Sequence, residues 1–368
     1  MKKSSLGRPV HRLRRCQRRR QRQLIRRLDD WLITTRSSSR SWVQRLIAPS
    51  LRTLRQIAQL LFDGLRLKVV VLGGYAADSQ TRVTVAYIGE GDSLAFLQHS
   101  LFKEGQAKCD QRGNCFTWQA PARALALADE ADMVVLERND LLSWVPTFGE
   151  WHIAPPWLRM CRDFRPGEDW QQLKQSMRRQ KDNIRCVRRG GYTYRFTNDD
   201  AEFDFFYSHM YLPFTKARYQ NRAIVSDEAY LRSFFRRGTL MMALSRGERP
   251  VAAQICVVRG SVLYLVGLGV LDGDLSWMQD GAVSALYYYT MQWAYQQGLR
   301  RADWGRCRPF VTDGRFKHKE RWGLHPERDP WVHSEWLFWV PGGSAAARAW
   351  LQAHPFVPSF NQSGGGVS

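Results

Sequence analysis

Between Asp303 and Trp322, carboxylates, cations and indoles alternate closely: Asp303-Trp304-Gly305-Arg306-Cys307-Arg308, then Asp313, Lys317, Lys319 and Trp322. If an ester or thioester is to be transferred to an amine, such a set offers a base for the nucleophile and donors for the oxyanion. Asp303, Asp272 or Asp313 could be the base, and Arg306, Arg308 or Lys317 could polarise the carbonyl or hold an anionic acceptor. Each has a plainer reading. Asp272 and Asp313 precede glycines and suit turns, Asp303 could simply pair with an arginine, and Trp304 and Trp322 could be packing residues rather than substrate platforms. Tyr219 beside Arg218 could line an acceptor channel or be a buried tyrosine with a satisfied hydroxyl. There is no G-x-S-x-G nucleophile elbow and no P-loop. His152, His209, His318, His325 and His333 are dispersed without H-x-x-x-H spacing, and Cys109 and Cys115 form a C-x5-C pair with no second pair, so the residues support no metal site.

These residues need elements to hold them. Thr239–Leu244, Val251–Val258 and Ser261–Val266 are apolar, β-branched segments separated by glycine-containing turns and read as an antiparallel meander. A helix from Gly281 to Gln297 follows, closed by Gly298, and then a strand near Ala302–Trp304. A strand, crossover helix and strand place the last strand parallel to the third, leaving a crevice at their carboxyl ends with the helix N-terminus aimed at it. Upstream, one helix is expected from Trp170 to about Arg189. It would carry Lys174, Arg178, Lys181, Arg185 and Arg188 along one face, either a solvated face or one that meets an anion. A second helix with Phe203, Phe206, Tyr207 and Met210 should stop before Pro213, and Ser226 should cap a third that ends at Gly238. In residues 69–165, strands at Lys68–Leu72, Val83–Ile88 and Met133–Leu136 and a helix near Ser93–Phe102 indicate α/β. Cys109–Cys115 reads as a hairpin tip or loop, and Trp151–Trp157, with two prolines, as a connector.

Taken in order, Tyr211-Leu212-Pro213-Phe214 with Arg218-Tyr219, Val251-Ala252-Ala253, Gly269-Val270-Leu271-Asp272-Gly273-Asp274, Gly281 with Ala285-Leu286-Tyr287-Tyr288, Asp303-Trp304-Gly305-Arg306 and Lys319-Glu320-Arg321-Trp322-Gly323 resemble the GCN5-related N-acetyltransferase superfamily, in its bacterial branch close to the Fem-type peptidoglycan aminoacyltransferases. The resemblance covers residues ~166 to 325. It implies a mixed sheet with a crossover helix in residues 166–342, and by analogy a diverged first copy in 69–165, although no internal repeat is clear enough to derive one. It implies Arg218, Tyr219, Asp272, Trp304, Arg308, Lys319 and Trp322 on the substrate side, Asp303, Arg306, Asp313 and Lys317 at the chemistry, and Leu268, Gly269, Asp280, Gly281 and Ala282 at an acyl-CoA donor. Local charge opposes that donor: no Lys or Arg stands between Arg259 and Arg300, whereas Asp272, Asp274 and Asp280 do. Acyl-CoA-dependent N-acylation of a polysaccharide or peptidoglycan precursor, aminoacyl transfer from charged tRNA and a non-catalytic binding protein all remain open.

The net charge of +21 is uneven, since residues 1–68 hold 19 Lys or Arg and 3 Asp, a net +16. Trp42, Leu46, Leu54, Ile57, Leu61 and Leu65 recur there at roughly helical spacing, giving a basic arm with an amphipathic helix. Its partner could be an anionic inner-membrane surface or a nucleic acid such as tRNA, or it could be a solvated tail. Seven scattered cysteines fit a reducing compartment, and an arginine-rich start with no apolar run of spanning length makes the expected location cytoplasmic, peripheral at the membrane. Residues 343–368 read as a helix around Ala345–Ala353 and a tail.

Overall fold

The computed structural model describes residues 66–358 apart from 78–80, 92, 104–106, 140–149, 166, 178–180, 220–224 and 247. The basic arm before residue 66 lies outside the described residues. In chain order the first elements are β1 (Arg66–Tyr75), β2 (Arg82–Gly89), α1 (Leu94–Leu101), β3 (Lys108–Phe116), α2 (Ala120–Ala126), β4 (Met133–Asn139), β5 (His152–Ala154) and β6 (Leu158–Asp163). Next come α3 (Trp170–Ser176), α4 (Lys181–Gly190), β7 (Thr193–Thr197), α5 (Asp200–Phe205), a π-helical stretch (Phe206–Tyr211), α6 (Leu212–Tyr219) and α7 (Glu228–Phe235). The chain continues through β8 (Thr239–Leu244), β9 (Pro250–Arg259), β10 (Val262–Val270), α8 (Ser276–Gln279), α9 (Ala282–Gln296), β11 (Arg301–Cys307), α10 (Gly314–Arg321), β12 (His325–Arg328), β13 (Ser334–Trp339) and α11 (Ala345–Ala353).

The strands form two mixed sheets, ordered β3-β1-β2-β4-β13-β5 and β12-β6-β11-β10-β9-β8-β7. Each contains one parallel pair, β2 with β4 and β10 with β11. The halves are laced together, because β6 enters the second sheet between β12 and β11 while β13 returns to the first between β4 and β5. In the second sheet, β9 runs Val251 to Val257 buried without interruption, as a central strand covered on both faces must. Its polar exception, Gln254, is satisfied by donating its side-chain amide to the Thr290 hydroxyl of α9. One face of this sheet packs α3, α4, α9 and α10 through Leu173, Val187, Leu286 and Trp322. The other packs α5, the π stretch and α7 through Phe203, Met210 and Leu231.

The meander, the crossover helix and the parallel return strand all form as expected. Other elements differ. The segment after Trp170 is two helices, with Met177 leaving helical geometry at ψ 19°, so Lys174 and the trio Lys181, Arg185 and Arg188 sit on different helices. Helical structure runs through Pro213, because the chain switches to π geometry just ahead of it, where the missing N–H and the ring would otherwise break an α-helical ladder. Asp227, not Ser226, caps α7, its carboxylate accepting from the Tyr230 N–H at 2.8 Å. Cys109–Cys115 is part of edge strand β3, where a bulge opposite Val69/Val70 takes up Arg112 as the extra residue, beside Gly113 at φ +99°. Within the expected connector, His152–Ala154 pairs with β13 as an edge strand ahead of the two prolines.

Candidate active site

The site begins where β10 and β11 separate. Their ladder lasts only from Val262–Arg301 to Tyr264–Asp303. Beyond it β10 bulges at Gly267 (φ +62°) against β9, and β11 bulges between Asp303 and Arg306 against β6, with Gly305 at φ +73°. Positive φ at both points suits glycine, and two bulges at one level turn the strand ends apart.

The diverging strand is held by Lys319. Its Nζ donates to the carbonyls of Trp304 (2.7 Å), Gly305 (3.1 Å) and Arg306 (3.1 Å), three donors matched by three acceptors. Burial pushes this ammonium down to about 8, with the nearby Cys307 and Asp303 side chains opposing the shift. Beside it, the Trp304 ring stacks on Tyr287 of α9 at 4.3 Å and 18°, and Trp322 packs against both at 5.9 Å. The indole N–H groups of Trp304 and Trp322 are buried without an acceptor among the described residues, at a cost of about 1–3 kcal/mol each. His318 lies with its ring 5.4 Å from Tyr287, and burial, with the cations of Arg218, Lys319 and Arg321, lowers it to about 4. On the opposite wall, the Arg218 guanidinium reaches Met278 Sδ at 3.4 Å and lies over the Phe214 ring at 5.7 Å. Tyr219 closes α6, and the reading of its side chain lies outside the described residues.

The remaining candidates are placed elsewhere. Asp303 points to the other face of the sheet, where it is 4% exposed. Its Oδ2 accepts from Arg159 Nε at 2.5 Å and its Oδ1 from the Gly305 N–H at 2.8 Å. Burial pulls the Arg159 guanidinium down, and the Asp303 carboxylate outweighs it, so the guanidinium is held above its ordinary value. Arg306 binds the fully buried Asp329. Asp313 caps α10, accepting from the Arg315 and Phe316 N–H groups at 2.8 and 3.1 Å, and Lys317 is exposed on that helix. Asp272 is an exposed residue at φ +53°, 3.8 Å from His209. Arg308 is buried at the junction of the two sheets, its guanidinium 3.7 Å over Trp157 and 4.5 Å over Phe96, with Nη1 donating to Pro156 O at 3.0 Å.

The expected donor cradle is closed. Gly281 caps α9 at φ +102°, and a Cβ there would stand 3.1 Å from Cys186 Cβ of α4. Every residue from Gly281 to Leu286 is buried, and no cation lies on this turn. Gly269 is equally covered, since a Cβ on it would meet the Tyr211 N at 2.4 Å. With the N–H groups of this helix start under protein, a coenzyme A pyrophosphate does not fit at Leu268, Gly269, Asp280, Gly281 and Ala282.

His318, Arg159 and Asp329 were not among the candidates. The sequence does hold a signal for the first, as His318 and Trp322 are four apart and so share a face of α10, as do Arg315 and Lys319. Of the dispersed histidines, His325 is gathered with Asp163 and Glu327, their ligand atoms within 4.8 Å, but Arg301 already donates to both carboxylates at 2.6 and 2.8 Å.

Residues 171–320 match the family model of an acetyltransferase (GNAT) domain. No curated protein matches the chain. Solved structures that resemble it include L-PGS from Bacillus licheniformis (12% identity, 80% of this chain and 89% of that one, TM-score 0.35). FemX (11%, 69% and 80%, TM-score 0.40) and a GCN5-related N-acetyltransferase from Sphaerobacter thermophilus (12%, 69% and 71%, TM-score 0.32) are others. Such low identities and TM-scores speak to neither substrate nor partner. The acetyltransferase match covers the elements from α3 to α10 that build the crevice, so residues 171–320 form an acyltransferase domain of the GNAT type.

Proposed function

We propose that the chain transfers an aminoacyl group from the ester of a charged tRNA to an amine, in the crevice between β10 and β11. The observation that carries this reading is the buried start of α9 beneath α4, which leaves no pyrophosphate cradle for acyl-CoA. The covering helix α4 turns Lys181, Arg185 and Arg188 outward, the chemistry that follows a phosphodiester backbone. The acceptor in this reading is an amine of a peptidoglycan or polysaccharide precursor, which the resemblance in sequence supports.

In the reaction the amine nitrogen attacks the ester carbonyl carbon, the carbon–oxygen bond to the ribose breaks, and the amine proton passes to the departing oxygen. Arg218 supplies positive charge for the oxyanion. His318, neutral above about pH 5, supplies a ring N–H to the same oxygen, as a group between cations can without adding charge. Lys319 keeps the Trp304–Arg306 backbone in place and is a positioning residue, its three donors being occupied.

Calorimetry of the full chain with acetyl-CoA, beside filter binding with charged tRNA, tests the donor. The reading expects no heat from acetyl-CoA and salt-sensitive retention of the tRNA. Micromolar acetyl-CoA binding would overturn it and point to a conventional acyl-CoA transferase in which α4 moves aside.

A further inference from the structure

The bulge in β11 does more than part the strands. Alternation along a regular strand puts Asp303 and Arg306 on opposite faces of the sheet, and the extra residue between them brings both to the same one. This is the face turned away from α4 and α9, where Arg159 lies over the Tyr264 ring at 5.7 Å. Arg306 pairs in register with Arg159 of β6, so two guanidinium side chains stand next to each other there.

Both are held by one edge. Arg159 Nε donates to Asp303 at 2.5 Å, and Arg306 Nε donates to Asp329. The Asp329 carboxylate is 0% exposed, also accepts from the Trp331 N–H at 3.0 Å, and lies close enough to Arg159 to raise that guanidinium too. The Arg306 side chain is nevertheless 45% exposed, and among the described residues its Nη1 and Nη2 groups have no acceptor. Arg301, a further cation of this face, is already bound by Asp163 and Glu327 at 2.6 and 2.8 Å. Burying a carboxylate is unfavourable, and a pair with a half-exposed arginine returns little stability. What the pair does achieve is pre-organisation: a guanidinium fixed through Nε presents its remaining N–H fork to a carboxylate or phosphate with little ordering left to do.

We propose that Arg306 binds an anionic group of the amine acceptor, a carboxylate or a phosphate, and so restricts the acceptor to amines that carry one. The inference rests on the transfer to an amine proposed above and is independent of the donor. The acceptor is the partner because Arg306 stands on the sheet face opposite α4, whose Lys181, Arg185 and Arg188 serve the donor in that reading. The two substrates meet from opposite sides at the gap between β10 and β11. Arg306 determines specificity and takes no part in bond making.

Phenylglyoxal condenses with the Nη nitrogens of arginine, the edge that Arg306 leaves free, and peptide mass spectrometry reads its rate at each arginine. In the full chain, inorganic phosphate or acetate, tried separately at constant ionic strength, should slow modification of Arg306 by about fivefold or more and leave the exposed Arg236 unchanged. The anion that protects identifies the group. In transfer from charged tRNA, Arg306→Gln should raise the KM of the amine bearing that group, glucosamine 6-phosphate or lysine, by about tenfold or more. The KM of the counterpart without it, glucosamine or cadaverine, should not change, kcat should stay within about twofold, and Arg306→Lys should recover part of the loss. Modification that neither anion slows would overturn the proposal, as would an equal rise in KM for both members of a pair. Protection of Arg306 without any transfer from tRNA would support the anion site and overturn the donor reading alone.

Discussion

Lys319 Nζ lies 2.7 Å from the carbonyl oxygen of Trp304, and this contact joins α10 to the strand that leaves the sheet. The crevice therefore depends on a buried ammonium whose partners are backbone carbonyls rather than a carboxylate, and several expectations follow from that arrangement and its neighbours.

Replacing Lys319 by Met leaves three carbonyls without a donor and removes the cost of a buried charge. The expected net loss is about 2 kcal/mol, read from urea midpoints at neutral pH. The native group sits at about 8 against 10.5 for the free side chain. Between those values the unfolded chain holds the extra proton, so the contribution of this group to stability rises with pH from about 8 to 10.5. The difference between wild type and Lys319→Met should widen over that range.

His318, at about 4 against an ordinary 6.5, stays neutral at physiological pH. Its contribution to stability is complete above 6.5 and is lost as pH falls toward 4, because there the unfolded chain takes up the proton first. Imidazole NMR should show no titration of this ring above about pH 5. His318→Ala should lower turnover by about tenfold or more with little change in melting temperature. A ring titrating near 6.5 would remove the neutral donor.

Asp303→Asn leaves Arg159 buried without its carboxylate, and the expected destabilisation is about 3 kcal/mol. Arg159→Met combined with Asp303→Asn should recover part of it, since no unpaired charge then remains. Urea denaturation of the two single variants and the pair measures the coupling.

Gly269→Ala places a Cβ 2.4 Å from the Tyr211 N, where backbone must shift, and should cost about 1–3 kcal/mol. At Gly314, the first residue of α10, a Cβ meets nothing within 4 Å, so Gly314→Ala should be neutral or stabilising by about 0.5 kcal/mol. Thermal melts of the two variants separate a glycine kept for close packing from one that is free to change.

Local patterning determined a good deal by itself. Alternating and continuous apolar runs marked β8, β9 and β10, Gly281 and Gly298 bracketed α9, and the handedness of the crossover made β11 parallel to β10. Those features act over a few residues and need no distant partner. Three things were decided only in the tertiary structure. Whether Asp303 faces the crevice or Arg159, 144 residues before it in sequence, depends on a bulge at Gly305 set by pairing with β6. The donor cradle is closed because α4 packs on Gly281, a contact between segments that carry no common motif. The exchange of β6 and β13 between the sheets likewise lies beyond a local pattern, because a strand's alternation says which face is buried and not which neighbour it will pair with.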